Sequence, residues 1–160
     1  MSQNGAFISQ AHRRETCARW EVRNAAEHLG WSALVSAGRP IIVVEDDALQ
    51  RKLYCDVLRS QHYEAIDIGD PRLVPDVIGR TSPLAAVIDI RLPHIDGRDL
   101  IEALRRDSGT RLLPIFALSA VVSPDMAETC LAAGANCFYA KPVPLKTFLE
   151  VMAQLTAGTL

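Results

Sequence analysis

Residues 41–60 read IIVVEDDALQRKLYCDVLRS, and this stretch changes character twice. Its first four residues are all β-branched, which predicts a short buried strand. Residues 48–60 carry apolar side chains at helical spacing, and three acids, Glu45, Asp46 and Asp47, stand between the two parts. A strand followed at once by a helix is the repeating unit of a parallel sheet.

The same alternation continues along the chain. Further strand-like runs are YEAIDI, LAAVIDI, LPIFALS and NCFYA, separated by helix-like stretches, of which the second is PRLVPDVIGRT. Pro71, Pro124 and Pro144 fall near predicted helix starts, and Gly134 follows a predicted helix end. The pattern predicts an α/β domain over residues 39–160, a doubly wound parallel sheet of five strands with five helices covering both faces. In the first helix we expect four side chains to face the sheet: Leu49, Leu53, Val57 and Leu58.

Residues 1–38 form an N-terminal extension of different character. Glu15 with Arg19 and Arg23 with Glu27 are spaced four apart, as in a helix, and Gly30 is suited to end it. Two interpretations stand: a partly ordered extension with some helix, or a helix that docks or dimerises.

Composition excludes several classes of protein. The 160 residues are 49% hydrophobic and 22% charged, and no apolar run approaches the ~20 residues that a membrane span needs. A net charge of −2 argues against a DNA-binding surface, and the first residues lack the pattern of a secretion signal. The four cysteines, Cys17, Cys55, Cys130 and Cys137, show no CxxC spacing, which favours reduced thiols in a cytoplasmic protein.

Polar residues stand where four of the predicted strands end. Glu45 and Asp46 follow the first strand, Asp89 ends the third, Ser119 the fourth, and Lys141 follows the fifth. In open α/β sheets, ligands bind beyond the carboxyl ends of the strands, so we expect these residues to line one cleft.

The residue types in this cleft indicate phosphoryl chemistry. Clustered carboxylates without nearby Cys or His form a hard-oxygen site that suits Mg²⁺, which would relieve their mutual repulsion. A carboxylate at the end of a buried strand can act as a nucleophile toward phosphorus. A lysine ammonium and a hydroxyl can then bind the phosphoryl oxygens. The pattern predicts a phosphoryl-accepting site.

From about residue 40 to residue 157 the chain resembles the receiver domain of two-component response regulators. VVEDD matches the family's acidic pair, DIRLPHIDG its D-x-x-x-P-x-x-D-G stretch, LSA its Ser/Thr-Ala and KP its Lys-Pro. Four motifs in the right order, each at the right strand end, make the resemblance specific. It implies the strand order 2-1-3-4-5 and a signalling switch, not an enzyme, that receives its phosphoryl group from a histidine kinase or a histidine phosphotransfer protein.

The resemblance also implies a role for each site residue. Asp89 corresponds to the phosphoacceptor, and Ser119 and Lys141 to the pair that senses the phosphate. The metal ligands would be Asp46, Asp89 and the backbone carbonyl of Arg91, with Glu45 acting through water. The Lys141–Pro142 bond is expected to be cis.

Neighbouring residues have more ordinary explanations. Asp47 is expected to cap the first helix, and Pro93, Asp96 and Gly97 to shape the loop after the third strand. Phe138 stands where the family carries a switch aromatic, but it could equally be core of the fifth strand.

Two other functions agree less well with these residues. An aspartate-nucleophile phosphatase needs a second acid two residues after the nucleophile, and that position holds Arg91. A metal-free docking domain would not need every site position filled. The sequence leaves open a free-standing receiver, favoured slightly by the start at Met1, or a receiver fragment of a hybrid histidine kinase. The face formed by helix 4, strand 5 and helix 5 is expected to carry self-association or partner binding, and the sequence leaves open a homodimer through this face or through the N-terminal helix.

Overall fold

The computed structural model describes residues 38–121 and 123–157. In this part of the chain strands and helices alternate as the sequence predicts. The elements are β1 Ile41–Val44, α1 Ala48–Ser60, β2 Ala65–Ile68, a 3₁₀ turn Pro71–Leu73, α2 Val74–Thr81, β3 Ala85–Asp89, α3 Gly97–Arg106, β4 Ile115–Ser119, α4 Pro124–Ala133, β5 Cys137–Ala140 and α5 Leu145–Thr156. The predicted N-terminal extension lies outside the described residues except for Gly38, so its helix and the domain boundary remain predictions.

The strands form one parallel sheet in the order β2-β1-β3-β4-β5, which confirms the prediction. Val44 pairs with Ile88 on one side of β3, and Ser119 of β4 pairs with Ala140 of β5. The carboxyl ends of these strands therefore meet at one edge of the sheet. The chain reverses its direction of travel across the sheet between β1 and β3, which makes this edge the switch point where such folds bind ligands.

Helices cover both faces of the sheet and create two cores. Ile41 and Val43 of β1 pack in the core that α1 and α5 cover, whereas Ile42 and Val44 pack in the core beneath α2, α3 and α4. All four side chains are buried, because successive residues of a strand point to opposite faces.

The prediction for the buried face of α1 is wrong in two places. Leu58 is buried and Val57 packs against the core, but Leu49 is 80% exposed and Leu53 is 47% exposed. The helix instead buries Tyr54, Cys55 and Leu58. At about 100° per residue, Leu49 lies on nearly the opposite face from these three residues, so α1 presents a leucine pair to solvent.

The predicted helix signals agree with the observed ends. The Asp47 carboxylate accepts hydrogen bonds from the backbone N–H groups of Leu49 and Gln50, both at 2.9 Å, and so caps α1. Gly134 ends α4 with φ of 111°, a conformation that favours glycine.

Two further expectations can be checked in the described part of the chain. The cysteines there, Cys55, Cys130 and Cys137, are all buried, while Cys17 lies outside it. Over the same residues, every helix is too short or too polar to cross a membrane.

Candidate functional site

The acids that follow β1 and end β3 converge at the switch point. One carboxylate oxygen from each of Glu45, Asp46 and Asp89 lies within 4.8 Å of the other two. Glu45 is 2% exposed and Asp89 is 4% exposed, whereas Asp46 is open to solvent. The fold thus places two buried carboxylates and one accessible carboxylate in a single cluster.

Lys141 supplies the positive charge of the cluster. Its backbone N–H donates to the carbonyl of Ser119 at 2.8 Å, which extends the β4–β5 pairing and aims the side chain at the acids. The ammonium Nζ donates to Glu45 Oε2 at 2.5 Å and also to Asp89 Oδ2, and the side chain is only 9% exposed. The Lys141–Pro142 bond is cis, as the resemblance implies. The sequence predicts that Lys141 binds phosphate, but it carries no signal for the bond from Lys141 to Glu45.

Burial and ion pairing set the protonation of these groups. Burial raises the pKa of Glu45 above its ordinary 4.5; the hydrogen bond from Lys141 acts against this, and the charge of Asp89 adds to it. Burial alone would lower the pKa of Lys141, but its hydrogen bonds to Asp89 and Glu45 outweigh burial and leave that pKa raised. Lys141 therefore stays an ammonium beside the acids.

The loop after β3 holds Asp89 in place. The backbone N–H of Arg91 donates to Asp89 Oδ1 at 2.8 Å, while the Arg91 side chain is exposed. Gly97 packs directly against the backbone of Asp89. A Cβ at this position would stand 2.4 Å from the Asp89 carbonyl oxygen, so the close approach requires glycine. Asp96 caps α3 by accepting from the backbone N–H of Arg98 at 2.8 Å. The D-G pair of the motif thus has a structural role, as expected.

Ser119 and Phe138 lie on adjacent strands. Ser119 is fully buried at the end of β4, and its Oγ accepts a hydrogen bond from the backbone N–H of Val121 at 3.1 Å. Phe138 of β5 is half-buried and packs against the core beneath α2, α3 and α4. This packing agrees with both interpretations of Phe138, so its switch role remains a prediction.

The donor set fits a hard divalent cation. Three carboxylates within 4.8 Å of one another offer oxygen ligands of the kind that Mg²⁺ binds, and accessible Asp46 leaves room for the waters that Mg²⁺ retains. The backbone carbonyl of Arg91 as a further ligand remains a prediction.

Two features of the site's surroundings carried no signal in the sequence. Arg51 of α1 donates from Nη1 to the backbone carbonyls of Glu45 and Asp46, at 2.8 and 3.1 Å. Leu49 and Leu53 are exposed on the helix that begins beside the acids. Both depend on how α1 is rotated on the sheet, which local sequence does not specify.

The doubly wound fold and the acid–lysine cluster at its switch point define a phosphoacceptor signalling domain. The chain belongs to the response regulator receiver domain family, whose model matches residues 41–153. Domains of this family act as phosphoacceptor switches in two-component systems, typically use Mg²⁺, and interact with histidine kinases or phosphotransfer proteins.

Curated relatives include two kinds of protein. The sensory/regulatory protein RpfC of Xanthomonas campestris is 29% identical over 121 residues, which are 74% of this chain but only 17% of RpfC. The polar-differentiation response regulator DivK of Brucella anthropi is 25% identical over 114 residues, covering 71% of this chain and 93% of DivK. The matched domain thus occurs both within a long protein and as nearly the whole of a short one.

Solved structures show the same fold. A response regulator of Chloroflexus aurantiacus is 28% identical with a TM-score of 0.71, over 74% of this chain and 98% of that one. The chemotaxis protein CheY4 of Vibrio cholerae is 22% identical with a TM-score of 0.69, over 73% of this chain and 98% of that one.

Proposed function

We propose that Asp89 accepts a phosphoryl group from a phosphohistidine of a partner kinase or phosphotransfer protein. The observation that carries this proposal is the cluster itself: Glu45 and Asp46 lie beside Asp89, and the Lys141 ammonium is bonded to Asp89 Oδ2. A buried carboxylate with a cation on one oxygen and metal-binding acids beside it is arranged for attack on phosphorus.

In the transfer, a bond forms between a carboxylate oxygen of Asp89 and phosphorus, and the bond from phosphorus to the imidazole nitrogen breaks. The imidazole leaves with the electron pair and takes up a proton from water. Asp46, Asp89 and the backbone carbonyl of Arg91 would hold Mg²⁺, with Glu45 acting through water, and the bound ion would neutralise charge on the phosphoryl group. Lys141 binds a phosphoryl oxygen, for which it gives up its bond to Glu45 or Asp89.

The signal is a rearrangement around Ser119. Its Oγ turns to the phosphoryl group and gives up the hydrogen bond from Val121, and Phe138 repacks into the space that Ser119 leaves. The surface formed by α4, β5 and α5 shifts as a result and carries self-association or partner binding. If phosphorylation changes the rates of amide hydrogen exchange only in α1 and α2, this part of the proposal is wrong.

The donor docks on the exposed leucines of α1. Leu49 and Leu53 are four residues apart, so they share one face of the helix, and that helix begins directly after the acid cluster. A partner that brings a phosphohistidine to Asp89 must cover this rim, and two exposed leucines suit an apolar helix of the partner.

Setting and partners complete the proposal. We place the protein in the cytoplasm, where its thiols stay reduced, as a switch without turnover of its own beyond slow loss of its phosphate. The net charge of −2 favours protein partners over DNA. Self-association uses the α4–β5–α5 surface or the N-terminal extension.

The test is incubation of the purified chain with acetyl phosphate, with and without Mg²⁺, followed by intact mass and by release of inorganic phosphate. A stable Mg²⁺-dependent adduct, absent from Asp89→Asn, supports the proposal. Continuous release of phosphate without an adduct would indicate an aspartate-nucleophile phosphatase. An unmodified chain in both conditions would indicate a docking domain.

A further inference from the structure

Arg51 binds the backbone of the loop that carries the acidic pair. From α1 its Nη1 donates to the carbonyl oxygens of Glu45 and Asp46, at 2.8 and 3.1 Å. Its Nε lies 3.5 Å from Asp67 Oδ2 on β2. One guanidinium therefore joins three elements, namely α1, the β1–α1 loop and β2.

The surroundings of this guanidinium hold it in one position. Its side chain is mostly buried although it bears a charge. It lies over Gly69, where an added Cβ would stand 2.9 Å from Nη1 and 3.1 Å from Cζ. The absence of a side chain at Gly69 leaves the space that Arg51 fills.

We infer that Arg51 is a positioning residue for the metal site. By fixing the carbonyls of Glu45 and Asp46, it fixes the backbone from which both carboxylates project toward Asp89. Groups that orient metal ligands contribute strongly to metal affinity although they do not contact the metal. The inference rests on the proposed Mg²⁺ site.

Charge and geometry predict opposite effects of removing Arg51 on the affinity of the site for divalent cations. Arg51→Gln takes away a positive charge near the acids, and Coulomb attraction alone would then make divalent cations bind more tightly. Loss of the hydrogen bonds from Arg51 to the Glu45 and Asp46 carbonyls frees the β1–α1 loop, and a less organised site binds cations more weakly. We expect affinity for Mn²⁺, used as a paramagnetic probe for Mg²⁺, to fall about tenfold, as for other residues that orient metal ligands.

The chain offers a matched control on the same helix. Arg59 also extends from α1 to β2, where its Nη2 donates to the Ala65 carbonyl at 2.8 Å. Ala65 begins β2, so this contact lies at the opposite edge of the sheet from the acids. Arg59→Gln removes the same kind of bond and the same charge without touching the acidic pair.

Two further variants keep the test valid if Arg51→Gln folds poorly. Arg51→Lys retains the positive charge but lacks the planar guanidinium that bonds both carbonyls, so it should weaken Mn²⁺ binding. Gly69→Ala retains Arg51 but forces its guanidinium away, and should weaken binding as well. Folding of each variant is checked by its melting temperature in chelator.

The measurement is the free Mn²⁺ signal in electron paramagnetic resonance, with the Mg²⁺ dependence of acetyl phosphate labelling as a second readout. Arg51→Gln should need more Mg²⁺ for half-maximal labelling yet approach the wild-type rate at saturation, while Arg59→Gln matches wild type in both. Unchanged or tighter Mn²⁺ binding in Arg51→Gln, or equal weakening in both glutamine variants, would overturn the inference. A wild type that binds Mn²⁺ but takes no phosphoryl group on Asp89 would refute the proposed function and leave the role of Arg51 standing.

Discussion

At the scale of single residues, Glu45 should make stability depend on pH. Its pKa in the folded protein is raised above 4.5, chiefly by burial, so the folded state holds the proton more tightly than the unfolded state. As pH rises from 4.5 through the raised value, the unfolded chain ionises first and the free energy of unfolding falls. Glu45→Gln lacks this titration. In chelator, the free energy of unfolding of Glu45→Gln minus that of wild type should rise as the pH increases through this range. A difference that does not change with pH would contradict this prediction. Glu64→Gln, at an exposed position, serves as the control.

Lys141 should act as the resident cation of the metal-free site. Removing one partner of a buried ion pair leaves an uncompensated charge, so Lys141→Met should lower the free energy of unfolding in chelator by about 3 kcal/mol. Mg²⁺ should restore much of this loss, because it neutralises the same carboxylates. Thermal unfolding should therefore show a larger Mg²⁺ shift in the variant than in wild type.

A surface lysine provides the comparison. Lys146 pairs with Glu150 at 3.8 Å, and both side chains are exposed. Lys146→Met should change stability by no more than about 1 kcal/mol, with the wild-type Mg²⁺ shift. Equal Mg²⁺ shifts in Lys141→Met and wild type would show that Lys141 does not stand in for the metal.

We expect the lifetime of the phosphoryl group to depend on Arg91 and Val121, which stand two residues after Asp89 and two residues after Ser119. Hydrolysis needs a water in line with phosphorus, and Val121 cannot hydrogen-bond such a water through its side chain. Arg91 has donors only, so it cannot accept a proton from the water. We expect slow autodephosphorylation, and a gain of roughly tenfold or more in the Arg91→Asn/Val121→Glu double variant, since a positioned polar group assists proton transfer. The measurement is the rate at which the phosphorylated protein loses its phosphate in Mg²⁺. A wild type that loses phosphate as fast as the double variant would show that Arg91 and Val121 do not slow hydrolysis.

At the scale of elements, α1 should decide which donors the domain accepts. Leu49→Ser/Leu53→Ser removes the exposed leucine pair without touching the acids, so labelling by acetyl phosphate should stay at the wild-type rate. Transfer from a phosphorylated histidine phosphotransfer protein should fall about tenfold or more, as when apolar anchors leave an interface. Rapid-quench kinetics measures both rates, labelling by acetyl phosphate and transfer from the phosphotransfer protein.

The control is an exposed leucine at the other edge of the sheet. Leu112 is 76% exposed and precedes β4, far along the strand from Ser119. Leu112→Ser should transfer as wild type does with both donors. A leucine-pair variant that loses activity toward acetyl phosphate too would place the defect in the site rather than in docking.

The elements themselves were largely predictable, but their orientation was not. The apolar runs that form β1 and β3 and the prolines at helix starts predict the sheet and its helices from local sequence alone. The stretch PRLVPDVIGRT reads as one helix but divides into a 3₁₀ turn and α2, and Pro75, which has no N–H to donate, lies in the first turn of α2. Leu49 and Leu53 have the spacing of a buried stripe, yet Tyr54 and Cys55 are buried in their place, beside the predicted Leu58.

At the scale of the whole molecule, the site exists only because the sheet assembles it. Glu45, Asp89 and Lys141 lie on or beside β1, β3 and β5, and their convergence follows from the strand order. Motif spacing predicted which residues meet. It did not predict that Lys141 bonds Glu45 as well as Asp89, or that Arg51 holds the loop, because such contacts depend on strand register and helix rotation.

We expect Asp89 to be the residue that carries the phosphoryl group, in a reaction that needs Mg²⁺. The most direct measurement is peptide mapping by mass spectrometry after labelling with acetyl phosphate, once in Mg²⁺ and once in chelator, with reduction of the acyl phosphate to fix its position. Asp89 should be modified in Mg²⁺ and little or not at all in chelator. Modification at Glu45, at Asp46 or elsewhere in place of Asp89, or equal labelling of Asp89 without metal, would contradict it.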